Sequence, residues 1–400
     1  MKQYKRVYAS INLDAVTYNM EAMKKNLPAG TKIIGVVKAD GYGHGSVPVA
    51  CAIDPYVAGY AVATAEEGMI LRRHGITKPI LVLGAAPKSS YSDLIDFNIR
   101  PAMFTRSQLE TFNAIALEKG KKAPVHLAVD TGMSRIGMKP DETSADMVKE
   151  MGNLPGIELE GMFTHFARAD EKDGSKARKQ MEQYLAFEAL LEQRGIKIPV
   201  RHCANSAGII ESIGTDLDMV RAGISIYGMY PSDEVETSQV LLKPVMELKS
   251  FLTYIKTIEP GTEVSYGGTF TAKERMRIGT VPVGYGDGYP RNLSGKGWVL
   301  IKGKKANVLG RVCMDQFMVD VTGIDGAEEG EMVTLIGRDG GEQILVEDLA
   351  KAGGGFHYEI VCDIGKRVPR LITPFLQKRS PVCPFLTASI GDILLTLPVQ

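Results

Sequence analysis

Nothing in this sequence is in obvious excess. Five cysteines are scattered through 400 residues, at 51, 203, 313, 362 and 383, and none stand in C-x-x-C spacing. So sparse and odd a set argues against a disulfide framework and for reduced thiols in the cytoplasm. Cys203 and Cys313 adjoin motifs described below, where a small apolar filler is the ordinary role of the side chain. Neither sign of charge dominates, with 47 Lys plus Arg against 47 Asp plus Glu. That balance removes any electrostatic reason to expect a nucleic-acid or membrane-surface partner. No run nears the ~18 apolar residues that span a bilayer. The opening "MKQYKRVYASINLDAV" lacks the unbroken apolar core of a secretory signal. What remains is a cytoplasmic protein whose ligand is a small molecule, recognised by local groups.

The chain is longer than one core ordinarily supports, so two domains are expected. Within residues 1–240, short apolar, β-rich runs recur: "IIGVVKAD", "GYAVAT", "PILVLG", "RPAMF", "VHLAVD", "LEGMFTHF", "VRHCAN" and "VRAGISIYG". Between most of them lie segments of helical period, such as "RKQMEQYLAFEALLEQRG". A doubly wound open sheet can produce this alternation. A (β/α)8 TIM-type barrel fits it better, since eight repeats in roughly 230 residues match its usual size. After Pro244 the texture changes to strands with Gly and Asp turns and little helix, as in "GWVLIKGKKANVLG". Residues 241–373 therefore read as a second, mainly β domain, and the tail 374–400 takes no role from its composition.

In such a barrel the chemistry sits where strands end. Lys38 and Asp40 end the first strand, beside the glycine-rich loop that holds Tyr42. Asp130 and Arg135 follow the fifth, His165 ends the sixth, and His202, Asn205 and Ser206 close the seventh. Arg221 enters the eighth, with Gly223 and Ile224 behind it. A lysine there can be a mere rim charge. It can also be an amine held in apolar walls, its pKa lowered by burial, ready to bond an aldehyde cofactor. Arg135 and Arg221 are either ion-paired structural residues or planar donors for a carboxylate. Ser206 and the Gly223–Ile224 amides suit a phosphate, with Tyr42 in reach of the same anion. A metal reading through His126, His165 and His202 meets two objections. His126 begins its strand, on the order of 13 Å below the mouth at ~3.3 Å per residue, and H-x-H and H-E-x-x-H are absent. A packed or hydrogen-bonded role suits His126 better. In the β domain, glycines after Tyr266 leave that ring little cover, as expected of a residue that meets a ligand or another chain.

Taken in order, "VVKADGYGHG", "DTGMSRIG", "HCANS", "RAGISIYG", "EVSYGGTF", "GYGDGYPR" and "GRVCMDQ" closely resemble the motifs of the alanine racemases, from about Ile11 to Arg370. These are pyridoxal 5'-phosphate enzymes built from an N-terminal barrel and a C-terminal β domain. The resemblance implies that Lys38 carries the cofactor and is one catalytic base. It implies that Tyr266 is the second base, supplied by the partner subunit of a homodimer with shared sites. Arg221 matches the residue facing the pyridine nitrogen, supported by His165. Tyr42, Asn205, Ser206, Tyr358 and the Gly223–Ile224 backbone match cofactor contacts. Arg135, Met314, Asp315 and Tyr285 match the substrate side. No metal is implied. A role in D-alanine supply for peptidoglycan precursors is the family expectation.

One departure falls at Ala128, where many relatives have a carbamylated lysine that holds the substrate-contacting arginine. The resemblance then implies that Arg135 is steadied by an anion such as chloride or by a neighbouring polar side chain. It also leaves open a broader-specificity or serine racemase. Three rivals stand beside this reading. A decarboxylase of the same cofactor class is disfavoured by Arg221 where an acid is expected. A pyridoxal-phosphate homeostasis protein resembles the barrel alone, and a metal hydrolase is disfavoured by the histidine spacing.

Overall fold

The computed structural model describes residues 6–373, so the tail 374–400 lies outside the described residues. The expected barrel is present. Its strands follow β1 (Val7–Asn12) and are β2 (Lys32–Val36), β3 (Gly59–Val62), β4 (Ile80–Val82), β5 (Ile99–Met103), β6 (Ala123–Ala128), β7 (Ile157–Phe163), β8 (Val200–His202) and β9 (Met219–Ala222). β2 to β9 pair in parallel and in chain order, and β9 returns to β2 through Lys32 opposite Met219. Parallel strands covered on both faces carry continuous apolar runs. Accordingly, every residue of β3, β4 and β5 is buried. The helices between them start on local signals: Thr105 and Gln108 form a reciprocal capping box at Arg106–Glu118, and Asp141 caps Glu142–Met151.

β1 departs from the expected 1–240 barrel unit. It buries only alternate residues (Val7, Ala9 and Ile11), the signature of a strand with one covered face. It joins the sheet of the second domain, antiparallel to Met246–Phe251 and parallel to Arg370–Thr373. That sheet has ten strands among the described residues. Both ends of the chain's described part are thereby tied to the C-terminal domain.

The β domain also holds two helices that its strand-rich texture concealed, Val346–Gly353 and His357–Asp363. The second lies over the barrel mouth. A Cβ on Gly43 would strike the carbonyl of Val361, and Arg370 Nε donates to Gly43 O at 3.0 Å. One apolar core runs through both domains. Among the described residues no helix is long and apolar enough to cross a membrane.

Candidate active site

The chain leaves β2 through an unusual turn. Ala39, Asp40, Gly41, Tyr42 and Gly43 all have positive φ, which costs roughly 1–2 kcal/mol for each non-glycine residue. Such strain persists only where neighbours hold it. Glu67 does so with one carboxylate, accepting from Ala39 N at 2.6 Å and from Ala63 N at 2.7 Å. Asp40 Oδ1 accepts from Ser46 N at 2.8 Å. The turn fixes Lys38 at the mouth and sends Tyr42 inward, where its ring packs 5.0 Å from that of Tyr227.

Lys38 is half-buried, and its Nζ lies 5.8 Å from the centre of the Tyr42 ring. Burial first, then the Arg135 charge, lowers its pKa from the usual lysine value, with Glu67 and Cys362 opposing. Burial and the Arg221 charge hold the His165 imidazole down to about 3, so it is neutral. Arg221 is the largest fully buried side chain of the chain's described part. Its Nη1 donates to His202 Nδ1 at 2.7 Å and to His202 O at 2.9 Å. Nη2 donates to Thr164 O at 2.8 Å and Cys203 O at 2.9 Å, with His165 Nδ1 at 3.3 Å. Burial brings the guanidinium down to about 10, still charged at neutral pH. Its Nε–H, the fifth donor, is buried without a partner among the described residues.

Beside it Ser206 Oγ accepts from Gly223 N at 2.9 Å and Ser225 N at 3.4 Å. A Cβ at Gly223 would lie 3.2 Å from the Tyr42 hydroxyl and 3.7 Å from Ser206 Oγ, so the bare glycine keeps a small hollow open. Ser225 Oγ is also buried without a partner among the described residues. Tyr358 closes this side, 6.2 Å from Tyr42 ring to ring.

A second cluster lies elsewhere on the same chain. Ser265 takes positive φ and turns Tyr266 outward, 72% exposed. Tyr266, Met314, Asp315 and Gln316 line one open depression. Tyr285 N and Gly286 N donate to Cys313 O and Met314 O at 3.1 and 2.8 Å, which pins the Tyr285 loop against the same wall. Behind it, buried Asp287 accepts from Arg6 and Arg367, and Arg367 Nη2 reaches Asp315 Oδ1 at 2.6 Å.

The comparisons with known proteins cover both halves. Residues 11–231 match the family model described as alanine racemase, N-terminal domain, and residues 245–372 match its C-terminal counterpart. The chain belongs to the alanine racemase family. It is 44% identical to the alanine racemase of Desulforamulus reducens over 91% of this chain and 98% of that one. Its identity to the Clostridium perfringens alanine racemase is 43%, over 91% of this chain and 95% of that one. Among solved structures, the alanine racemase of Clostridium difficile 630 superposes with a TM-score of 0.90 at 41% identity, covering 93% of this chain and 97% of that one. The Bacillus anthracis enzyme, solved with bound L-Ala-P, gives 0.88 at 34% identity over 94% and 96%. The protein is thus an isomerase of the racemase type.

Not every racemase residue expected from the sequence falls in one place. Lys38, Tyr42, His165, Ser206, Arg221, Gly223, Ile224 and Tyr358 converge at the mouth. Arg135 is near enough to depress Lys38 and His165. Asn205 uses its side-chain oxygen to cap the short helix Ser206–Ile210, accepting from Gly208 N at 3.0 Å. Tyr266, Met314, Asp315 and Tyr285 stay with the second cluster, and Tyr266 is not among the groups that act on Lys38. His126 is indeed hydrogen-bonded, yet not remote from His202: the two rings meet inside the barrel, Nδ1 to Nε2, at 2.9 Å. His126 is the fourth residue of β6, and His202 points down into the interior instead of out of the mouth. Glu67, Tyr227 and Ser225 escaped the sequence reading. Glu67 resembles any acid in a helix's first turn, and only the φ values of the lysine turn reveal what it braces.

Proposed function

We propose that this enzyme interconverts L-alanine and D-alanine with pyridoxal 5'-phosphate at the barrel mouth and one proton-transfer group on each face of the substrate Cα. Lys38 is the first and the partner subunit's Tyr266 is the second. The observation that carries the reading is the orphaned Nε–H of a fully buried, charged Arg221, beside a hollow that a Cβ on Gly223 would narrow. These features suit the cofactor. Lys38 would bond its aldehyde carbon. Tyr42, Ser206, Tyr358 and the Gly223–Ile224 backbone would hold its phosphate, with Asn205 shaping the turn. Arg221, backed by His165, would meet its ring nitrogen. When bound, the group delocalises the charge that develops at Cα.

The chain's own residues do the rest. Arg221 has donors and no acceptor, so a ring nitrogen that it meets accepts and is not protonated. That limits how long charge is held at Cα and disfavours decarboxylation or transamination. Lys38, its pKa lowered by burial and by Arg135, is a neutral amine at lower pH than a free lysine and takes or returns the proton on its face. Tyr266, whose ring is 72% exposed among the described residues of its own chain, serves the other face across a homodimer interface. Arg135, together with Met314, Asp315 and Tyr285 of the partner subunit, lines the substrate's carboxylate side and entrance. The product would supply peptidoglycan precursors in the cytoplasm.

Ala128 is buried and bears no amine, and among the described residues no side chain is hydrogen-bonded to Arg135. This favours an anion such as chloride over a neighbouring side chain as the group that steadies that arginine, and serine is the first further substrate to assay. Electron density for a carbamate beside Arg135 would sink this part. The main proposal is tested by mixing Lys38→Ala and Tyr266→Phe chains. Shared sites regain activity in heterodimers, with one intact site in two. Self-sufficient chains regain none.

A further inference from the structure

Beneath the site a line of polar side chains crosses the barrel interior. From Arg221 Nη1 the contacts run to His202 Nδ1 (2.7 Å), from His202 Nε2 to His126 Nδ1 (2.9 Å), and from His126 Nε2 to Glu160 Oε2 (3.1 Å). Arg100 closes the line, donating from Nε to Oε2 at 2.9 Å and from Nη2 to Oε1 at 3.0 Å. The backbone is shaped for it. Leu159 pairs with Val125 and Gly161 with His126, so Glu160 is the extra residue of a bulge between β7 and β6. A bulge re-aims one side chain, here toward the interior. At Gly161 a Cβ would lie 2.5 Å from the His126 ring, so only glycine leaves the imidazole its place. Phe163 stacks on His202 at 5.2 Å and 11°.

We infer that Glu160 is a positioning residue for Arg221, acting through the tautomers of His126 and His202. A guanidinium only donates, so His202 Nδ1 must accept and its proton must sit on Nε2. That proton makes His126 Nδ1 an acceptor, so the His126 proton also sits on Nε2. The line needs an obligate acceptor at its end, and an ionised carboxylate is one. Burial keeps both imidazoles neutral, and although burial pushes the Glu160 carboxyl up, its hydrogen bonds with His126 and Arg100 hold it below the usual carboxylate range. Without that acceptor His126 is free to move its proton to Nδ1. His202 then faces two donors and can satisfy only one. Arg221 loses the partner that aims its Nη1 edge, and with it the orientation of Nε.

The test uses the cofactor-loaded enzyme labelled with 15N only at its six histidines, in wild type, Glu160→Leu and Glu160→Gln. Wild type should show His126 and His202 neutral with the proton on Nε2. Glu160→Leu should shift the His202 ring signals and lower kcat about tenfold, the scale of one charged hydrogen bond, with KM for alanine within about twofold. Glu160→Gln keeps an oxygen for His126 and should retain both tautomers and most of kcat. A wild-type His202 protonated on Nδ1 overturns the inference, and so does a folded Glu160→Leu with unchanged His202 signals and kcat. If Glu160→Leu does not fold, displaced tautomers in Glu160→Gln with full kcat also overturn it. Only the kinetic arm rests on the proposed racemisation. Correct tautomers in a chain that fails to racemise alanine would sink that reading and leave this one standing.

Discussion

At the barrel mouth, four of the five donors of Arg221 are satisfied and Lys38 is half-buried among cations, whereas Tyr266 and Met314 stand 72% and 53% exposed on the β domain. Each region makes physical sense only with something added. The mouth has the pKa-lowering surroundings a catalytic amine needs, and among the described residues Tyr266 is not one of the groups that act on Lys38. The Tyr266 wall has a phenol and rigid backing, from Asp287 with its two arginines. Under the proposed function, a half-site that receives a partner stays uncovered on its own chain, so its residues look like stray surface hydrophobics. The half-site that would bind a charged cofactor is desolvated beforehand, so its residues look like core.

The contrast can be broken most sharply at the two proposed bases. Lys38→Ala should lower racemisation by at least about 10³-fold and prevent borohydride from fixing the cofactor to the chain. Tyr266→Phe should lower turnover by about 10²–10⁴-fold yet leave an asymmetry. Exchange of the Cα proton with deuterated solvent should outlast racemisation for one alanine enantiomer, because one base still works on its own face. Equal loss of exchange from both enantiomers would argue that a single base serves both sides. On the mouth side, Gly223→Val should weaken cofactor binding about tenfold by crowding the Tyr42 hydroxyl, as read by the loss of visible absorbance on dilution.

How well the sequence predicts these regions follows from how local their signals are. Most of the barrel strands are visible as apolar runs, because parallel strands buried on both faces cannot hide, while the three residues of β8 bury only His202 and are marked by the motif around them. The reactive residues at their tips were visible for the same reason. β1 was misplaced because six alternating residues do not say which sheet they join, a matter decided by partners hundreds of positions away. The helix bearing Tyr358 and Cys362 was masked by flanking glycines in a strand-rich region. The His126–His202 contact depends on a bulge at Glu160 and a missing side chain at Gly161, and neither has a periodicity to read. Sequence shows which groups are present. The line from Arg221 to Glu160 exists only once the barrel closes.

Smaller effects sharpen the same comparison at Arg135, an exposed cation close enough to act on Lys38. If an anion steadies it, replacing chloride by gluconate at constant ionic strength should raise KM for alanine by roughly threefold and barely alter kcat. Restoring chloride should reverse the change. A KM indifferent to chloride would leave Arg135 ordered by the substrate carboxylate alone.

The mildest effect concerns the cost of keeping Lys38 ready. Its folded-state pKa lies below the ordinary lysine value, so between those two values the unfolded chain binds the extra proton. Stability then rises with pH across that window, and the full penalty of the buried ammonium is present below it. The cofactor-free Lys38→Met chain should therefore melt above cofactor-free wild type at about pH 7, and the gap should narrow by about pH 10, near the unperturbed lysine value. Tyr266→Phe removes one hydroxyl from a ring that is 72% exposed on its own chain, so the cofactor-free variant should melt within about 0.5 kcal/mol of wild type. Matching gains from both substitutions would show that the mouth and the wall are not, after all, electrostatically different.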